Sequence, residues 1–289
     1  MRLLVTGAGG MLGQDLMRAG ERAGHELVGL TRGELDITDA GAVAAAIERA
    51  RPEAVLNCAA WTDVDGAEAD EDGARAVNAA GAGNLARAAS AAGARLVHVS
   101  TDYVFDGVAP VQDGRPRAYL ESDPTGPTSA YGRTKLEGER EVLAASRRHV
   151  VVRSSWLFGV GGGNFVATML RLAAERGSVS VVVDQVGCPT WTGHLAPALV
   201  GLLERDIGGG VVHLAGAGAV SWNRFAVEIF RQAEVACDVG EATSEEMARP
   251  APRPAWSALE SEREDILPLP PWEDGLAGYL AARAGMMRV

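Results

Sequence analysis

Five short β-prone runs, each followed by a helix-prone stretch, occupy little more than the first half of this chain, and few folds accept that alternation. The runs are residues 3–6, 26–30, 54–57, 96–100 and 150–153. Between the first two, Leu12, Leu16, Ala19 and Ala23 recur near helical spacing. Ala42, Val43, Ala46, Ile47 and Ala50 predict a second helix that stops before Pro52. An alanine-rich helix is expected over roughly 73–92, and further helices from Tyr131 and from Asn164. Short apolar strands separated by helices call for a parallel sheet covered on both faces. Right-handed crossovers then give an α/β fold of the Rossmann type, a doubly wound parallel sheet that binds ligands at the carboxyl ends of its strands. Beyond about Gly216 the alternation weakens, and the proline-rich run at 249–254 cannot be a regular helix. The expected division is a dinucleotide-binding domain over 1–157 with contributions from 181–215. A smaller C-terminal substrate-binding lobe is expected over 158–180 and 216–289.

The turn after the first strand carries glycine at 7, 10 and 13. Gly7 turns the chain sharply, Gly10 lets backbone N–H groups approach a pyrophosphate, and the last glycine allows close packing of helix on sheet. Glycines also make plain turns, so position decides: strand before, amphipathic helix after. At the end of the second strand, where an acidic residue usually holds a ribose 2′-hydroxyl, this chain has Thr31 and Arg32. An arginine suits a 2′-phosphate, which points to NADPH, with NADH as the alternative. A solvated surface arginine is the competing reading of Arg32. Asp36 and Ile37 follow on the next loop, within reach of an adenine ring.

Tyr131 and Lys135 stand four residues apart at a helix start, hence on one helical face. A nearby ammonium is expected to lower the tyrosine's pKa and fit it for acid–base work. That spacing alone is common. Combined with the glycine turn and with Ser100-Thr101 at the end of the fourth strand, it is far more specific.

Net charge narrows the partners. The formal charge of -11 works against nucleic acid and anionic membrane surfaces. Cys58, Cys188 and Cys237 are widely spaced and odd in number, which indicates neither a disulfide framework nor a zinc site. With no signal-peptide core and no membrane span, the chain reads as cytoplasmic.

Several longer stretches resemble the dTDP-4-dehydrorhamnose reductase family, within the extended short-chain dehydrogenases. They are residues 57–65, 99–107, 153–159 and 184–190, and Arg253-Pro254 with Ser257 and Leu259. The resemblance runs in order along nearly the whole chain. It implies NAD(P)H-dependent reduction of the 4-keto group of a dTDP-linked 6-deoxyhexose. It implies that Tyr131 donates the proton, that Thr101 contacts the carbonyl oxygen, and that Lys135 holds the nicotinamide ribose. Gly10, Met11, Leu12, Asp36, Ile37, Ala60 and Thr62 would touch the cofactor, and Thr101, Asp102 and Trp156 would line the sugar pocket. Arg253 is the candidate for the diphosphate, against a structural role. Trp156 as a core aromatic and Asp102 as a turn cap are the competing readings, and Asn78 is read as a bridge to the fourth strand rather than a ligand contact. Some relatives bind a metal between subunits through a glutamate; here residues 191–194 carry no carboxylate, so no metal is expected, and the assembly is a monomer or a homodimer. Another 4-ketoreductase of the same kind, or a non-catalytic subunit of the same fold, remain the alternatives.

Overall fold

The computed structural model describes residues 1–205 and 207–286. Six parallel strands make its central sheet: β1 (Arg2–Thr6), β2 (Glu26–Leu30), β3 (Ala54–Asn57), β4 (Arg95–Thr101), β5 (Val150–Ser154) and β6 (Gly210–His213). Their order across the sheet is β6-β5-β4-β3-β1-β2. The five expected strands are present, within a residue or so at their ends, and β6 joins them at the far edge. Because β2 and β3 flank β1 on opposite sides, the chain reverses direction there. In such sheets that reversal opens a crevice at the carboxyl ends of the strands.

Both faces are covered, as buried apolar strands require. On one face, helix α1 (Met11–Arg22) presents Leu12, Leu16 and Ala19 to Leu3, Val5 and Leu56. A helix at Thr192–Glu204 lies alongside it and adds Leu195, Leu199 and Leu202. On the other face, helix α2 (Ala40–Ala50) buries Val43, Ala46 and Ile47, with Leu85, Ala89 and Val142 from two further helices. Asp39 starts α2 by accepting from the N–H groups of Gly41 and Ala42, and Arg51 ends it in the left-handed region just before Pro52.

The expected helix at 73–92 begins two residues earlier and is not uniform. Glu71–Arg75 and Ala82–Ala91 are α-helical, but Ala76–Gly81 between them winds as a π-helix. Such bulges recur at functional sites. A third core, separate from the sheet, gathers Phe158, Val166, Phe225, Ile229 and Leu276 around a short parallel pair, Ser178–Val182 with Asp238–Ala242. The proline-rich run forms no helix and leads back to the sheet: the Ala251 N–H donates to Asp65, and that of Trp256 to the Gly107 carbonyl.

Candidate active site

Backbone makes the first half of the site. Gly7 leaves β1 at φ +71°, and a Cβ there would stand 2.7 Å from the Ala59 nitrogen in the turn after β3. The two turns that flank the crevice therefore touch. A Cβ on Gly13 would lie 2.2 Å from the Gly7 carbonyl oxygen, so α1 starts hard against the same turn. Gly10 precedes α1 and supplies no capping side chain. The leading N–H groups, those of Met11 and Leu12 among them, thus have no side-chain cap at a twelve-residue helix terminus. A pyrophosphate fits that cradle.

The ribose end holds a group that spacing did not reveal. The Thr31 N–H and hydroxyl both donate to Glu34 Oε2, at 2.9 and 2.7 Å, and hold its carboxyl below the ordinary value. A carboxylate therefore stands beside exposed Arg32. Asp36 spends Oδ1 on the N–H and hydroxyl of Thr38, which lowers its pKa, and the charge of Arg32 adds to the effect. The Ile37 side chain is buried in the core with α2. Ala60 and Thr62 extend the loop after β3, and Trp61 between them is fixed by Asn78. That amide accepts from Trp61 N at 2.9 Å and donates to Trp61 O at 3.2 Å and Thr134 Oγ1 at 3.1 Å. Asn78, on the π turn, is thus a bridge, but to this loop and to Thr134 on the helix that carries Tyr131 rather than to β4.

Helix α3 (Ala130–Ala145) carries Tyr131 and Lys135. Ser129 caps it by accepting from Gly132 N. A Cβ at residue 132 would sit 2.2 Å from the Tyr103 carbonyl oxygen, so only glycine lets the helix start directly over the turn that follows β4. A buried ion pair anchors the helix lower down. Arg153 on β5 meets Glu139 at 2.8 Å, and Ser100 Oγ donates to the same carboxylate at 2.6 Å.

The expected coupling between Lys135 and Tyr131 is corrected by this arrangement. Burial and then the Asp102 charge push Tyr131 up to about 12, with only the Thr101 hydroxyl opposing them. Lys135, 1% exposed, gives its Nζ to the Val99 carbonyl at 2.7 Å and lies 3.4 Å from His98 Nε2. Burial brings its pKa down to about 8, against the opposing influence of Glu139 and Cys58. It is also the only lysine among 27 basic Lys and Arg residues. Arginine stays charged at any working pH. In a chain that otherwise uses arginine throughout, the one lysine is a basic group whose proton can leave, a signal present in the sequence itself.

Thr101 ends β4, and Asp102 opens the short 3-10 turn that follows it. The Thr101 hydroxyl donates to Asp102 Oδ1 at 3.0 Å and accepts from Tyr103 N at 3.2 Å, so donation to a carbonyl oxygen requires it to turn from Asp102. Asp102 is 2% exposed and takes a second bond, on Oδ2, from Ser155 at 3.1 Å. Burial lifts its pKa to about 6 against the pull of Ser257, Thr101 and Ser155. It is more than a turn cap.

Trp156 is not a core aromatic. It is half-buried, left-handed at φ +48°, and stacked on Trp222 at 3.5 Å with the rings 4° apart. Strained backbone at a bulky residue gathers at working sites. Trp222, from a distant helix, went unseen because no spacing rule links it to residue 156. Arg253 meets Asp65 in a fork, at 2.6 and 3.0 Å, so an incoming diphosphate would have to share or displace that carboxylate. His194 packs on the Trp191 ring. Among the described residues no three His, Cys, Asp or Glu side chains are grouped to hold a metal ion, and no helix is long and apolar enough to cross a membrane.

Comparison with known proteins agrees with this geometry. A dTDP-4-dehydrorhamnose reductase of Mycobacterium tuberculosis is 46% identical over 290 residues, covering 98% of this chain and 93% of the relative. One of Streptomyces griseus is 45% identical over 293 residues, covering 98% and 94%. The crystal structure of the Bacillus anthracis dTDP-4-dehydrorhamnose reductase in complex with NADP superposes with a TM-score of 0.92 at 37% identity, over 97% of this chain and 99% of that one. The family described as RmlD substrate binding domain matches residues 1–284, and the chain belongs to that family, the dTDP-4-dehydrorhamnose reductases.

Proposed function

We propose that this protein is an NAD(P)H-dependent oxidoreductase that reduces the 4-keto group of dTDP-4-dehydro-6-deoxy-L-mannose, giving dTDP-L-rhamnose. The observation that carries the reading is the meeting, at one end of the sheet, of the uncapped α1 terminus with Tyr131, Lys135, Thr101 and Asp102. The names and the bound NADP of the relatives support it.

The glycine turn and the first N–H groups of α1 would hold the dinucleotide's pyrophosphate, and Arg32 a 2′-phosphate. The bound dinucleotide supplies the hydride. Tyr131, kept protonated at neutral pH by burial, gives its proton to the sugar O4 as negative charge develops there. General acids of this kind contribute ~10²–10⁴-fold. Thr101 bonds the same oxygen. Lys135 would hold the nicotinamide ribose and supply the proton that restores the phenol. Trp156, backed by Trp222, covers a face of the sugar nucleotide, and Arg253 meets its diphosphate.

Residues 158–180 and 216–286 form the lobe that receives the nucleotide in this reading, supported by a separate core, and the last three residues of the expected lobe lie outside the described residues. A cytoplasmic monomer or homodimer completes it, supported by three free cysteines. The test is product analysis by NMR after incubation with dTDP-4-dehydro-L-rhamnose and NADPH. The L-rhamno product is expected from the nucleotide-linked sugar and none from the free keto-sugar. No NADPH consumption with the nucleotide form, or equal turnover of the free sugar, overturns the substrate assignment.

A further inference from the structure

One buried titratable group at the floor of the cleft has no part in the reaction as described: His98, on β4. Its surroundings determine which nitrogen carries the proton. Asn57 Oδ1 faces the Ala59 backbone nitrogen at 3.0 Å and the Thr6 hydroxyl at 2.7 Å. A backbone N–H can only donate, so the atom facing it is the amide oxygen, and Nδ2 points the other way. Nδ2 meets His98 Nδ1 at 2.8 Å and can itself only donate. Nδ1 is therefore the acceptor, and in the neutral ring the proton sits on Nε2. The ring is neutral, because burial and the Lys135 charge drive its pKa well below the ordinary value. The Nε2–H then faces Lys135 Nζ at 3.4 Å. An ammonium has no lone pair to receive it, whereas an amine does.

We infer that His98 is a positioning residue for Lys135: its Nε2–H, fixed in direction by Asn57, weakens the hold of Nζ on its proton and aims the remaining hydrogens at the Val99 carbonyl and the cleft. The inference rests on the reading that Lys135 works beside Tyr131, and it adds the device that keeps the lysine able to release a proton. Thr6 immediately precedes Gly7, so the chain Thr6–Asn57–His98–Lys135 also ties the cofactor turn to the catalytic helix through buried hydrogen bonds. The other titratable groups acting on Nζ are Cys58 from the turn after β3 and Glu139 from its own helix. Glu139 is committed to Arg153 and Ser100, and Cys58 is held as a thiol, pushed up to about 12 by burial. The donor directed at Nζ is thus the His98 ring.

Having one lysine makes the test direct. Protein carrying ¹⁵N-labelled lysine gives a single side-chain amine signal, whose pH titration reads Lys135 independently of turnover. In His98→Phe the ring volume is kept and the donor lost, so the Lys135 pKa should rise by about one unit. His98→Gln should restore the wild-type value to within ~0.3 unit, since Oε1 turns to Asn57 and Nε2–H to the lysine. Asn57→Asp should raise the pKa as well. Its second oxygen takes a proton from His98 Nδ1, which leaves Nε2 as an acceptor for the ammonium. That shift should shrink in the double variant with His98→Phe, because a bare charge effect would survive there. In turnover the alkaline limb of kcat should follow the NMR value in each variant. A Lys135 pKa that is the same in folded His98→Phe as in wild type overturns the inference. So does an Asn57→Asp shift undiminished in the double variant. Loss of product in the wild type alongside the expected titrations would instead strike the proposed function and leave this inference standing.

Discussion

The two halves of the cleft are built from different materials. At the α1 end, contact surface is backbone: Gly7 and Gly13 bring main chain to within van der Waals distance of main chain, and the N–H groups are offered by a helix start. At the α3 end it is side chain. Asp102, Ser155, Thr101 and Tyr131 converge from β4, the end of β5 and α3, and Trp222 arrives from beyond residue 220. A backbone site is specified by what must be absent, namely Cβ atoms, and its three glycines lie within seven residues. A side-chain site is specified by what must meet, and its members are scattered over the chain. In the proposed reading function divides the same way: the first half would bind a group common to many enzymes, and the second would select the substrate and move the proton.

The sharpest way to separate the halves is Tyr131→Phe. Loss of one hydroxyl from the side-chain half should cut turnover by at least ~10²-fold, the lower range for a lost general acid, and leave cofactor Kd within about twofold. Turnover near the wild-type value would take Tyr131 out of the chemistry. Asp102→Asn tests the same half through stability. The folded-state pKa is raised to about 6 from 3.8, so between those values the native state binds more protons than the unfolded one. Stability from this group is therefore full below about pH 4 and lost as pH rises through 6. Asparagine removes that loss, so the variant should be more stable than wild type at pH 7, by about 1–3 kcal/mol, and gain nothing at pH 4. Calorimetry at the two pH values decides it; a difference in Tm that is independent of pH would mean the carboxyl does not titrate in this range.

How much of this was legible follows from the same contrast. The strands, the sheet and the glycine turn came from patterns shorter than twenty residues, where periodicity and spacing act. Tyr131 and Lys135 were placed correctly on one helix, yet the conclusion that the ammonium acts directly on the phenol did not follow. Spacing puts two side chains on a face; it does not say that the Val99 carbonyl will take Nζ. Glu34 was hidden for a similar reason. It lies two residues past Arg32, and only the doubled bond from Thr31 brings its carboxylate back to the strand end. Trp222 and the Asp65–Arg253 fork are pairings across more than sixty residues, beyond any local rule.

Trp222→Ala probes that long-range construction. An aromatic pair contributes about 0.5–1.5 kcal/mol beyond the area it buries, so losing the stack should raise KM for the sugar nucleotide ~3–10-fold. The KM for NADPH should stay within twofold, because the ring partners of Trp222 among the described residues are Trp156, Phe165 and Phe225. Equal change in both constants would mean that the stack holds the whole cleft together rather than its sugar end.

The smallest expected effect lies in the backbone half, where two opposite charges adjoin the ribose position. Arg32 favours a 2′-phosphate and Glu34 disfavours it, and both are exposed, so salt screens each. The Glu34 carboxylate accepts from the N–H and hydroxyl of Thr31, directly after β2, which keeps its charge at the strand end. Removing that charge with Glu34→Gln, which keeps an oxygen for Thr31, should improve kcat/KM for NADPH over NADH by a few-fold. Arg32→Asp should move the ratio toward NADH by a comparable or larger factor. Both shifts should fade as ionic strength rises toward ~1 M, where the screening length falls to about 3 Å. A ratio that is unmoved by either substitution would show that the ribose is read by neither charge. Selectivity would then belong to Asp36, Ile37 and the backbone of the loop that carries them.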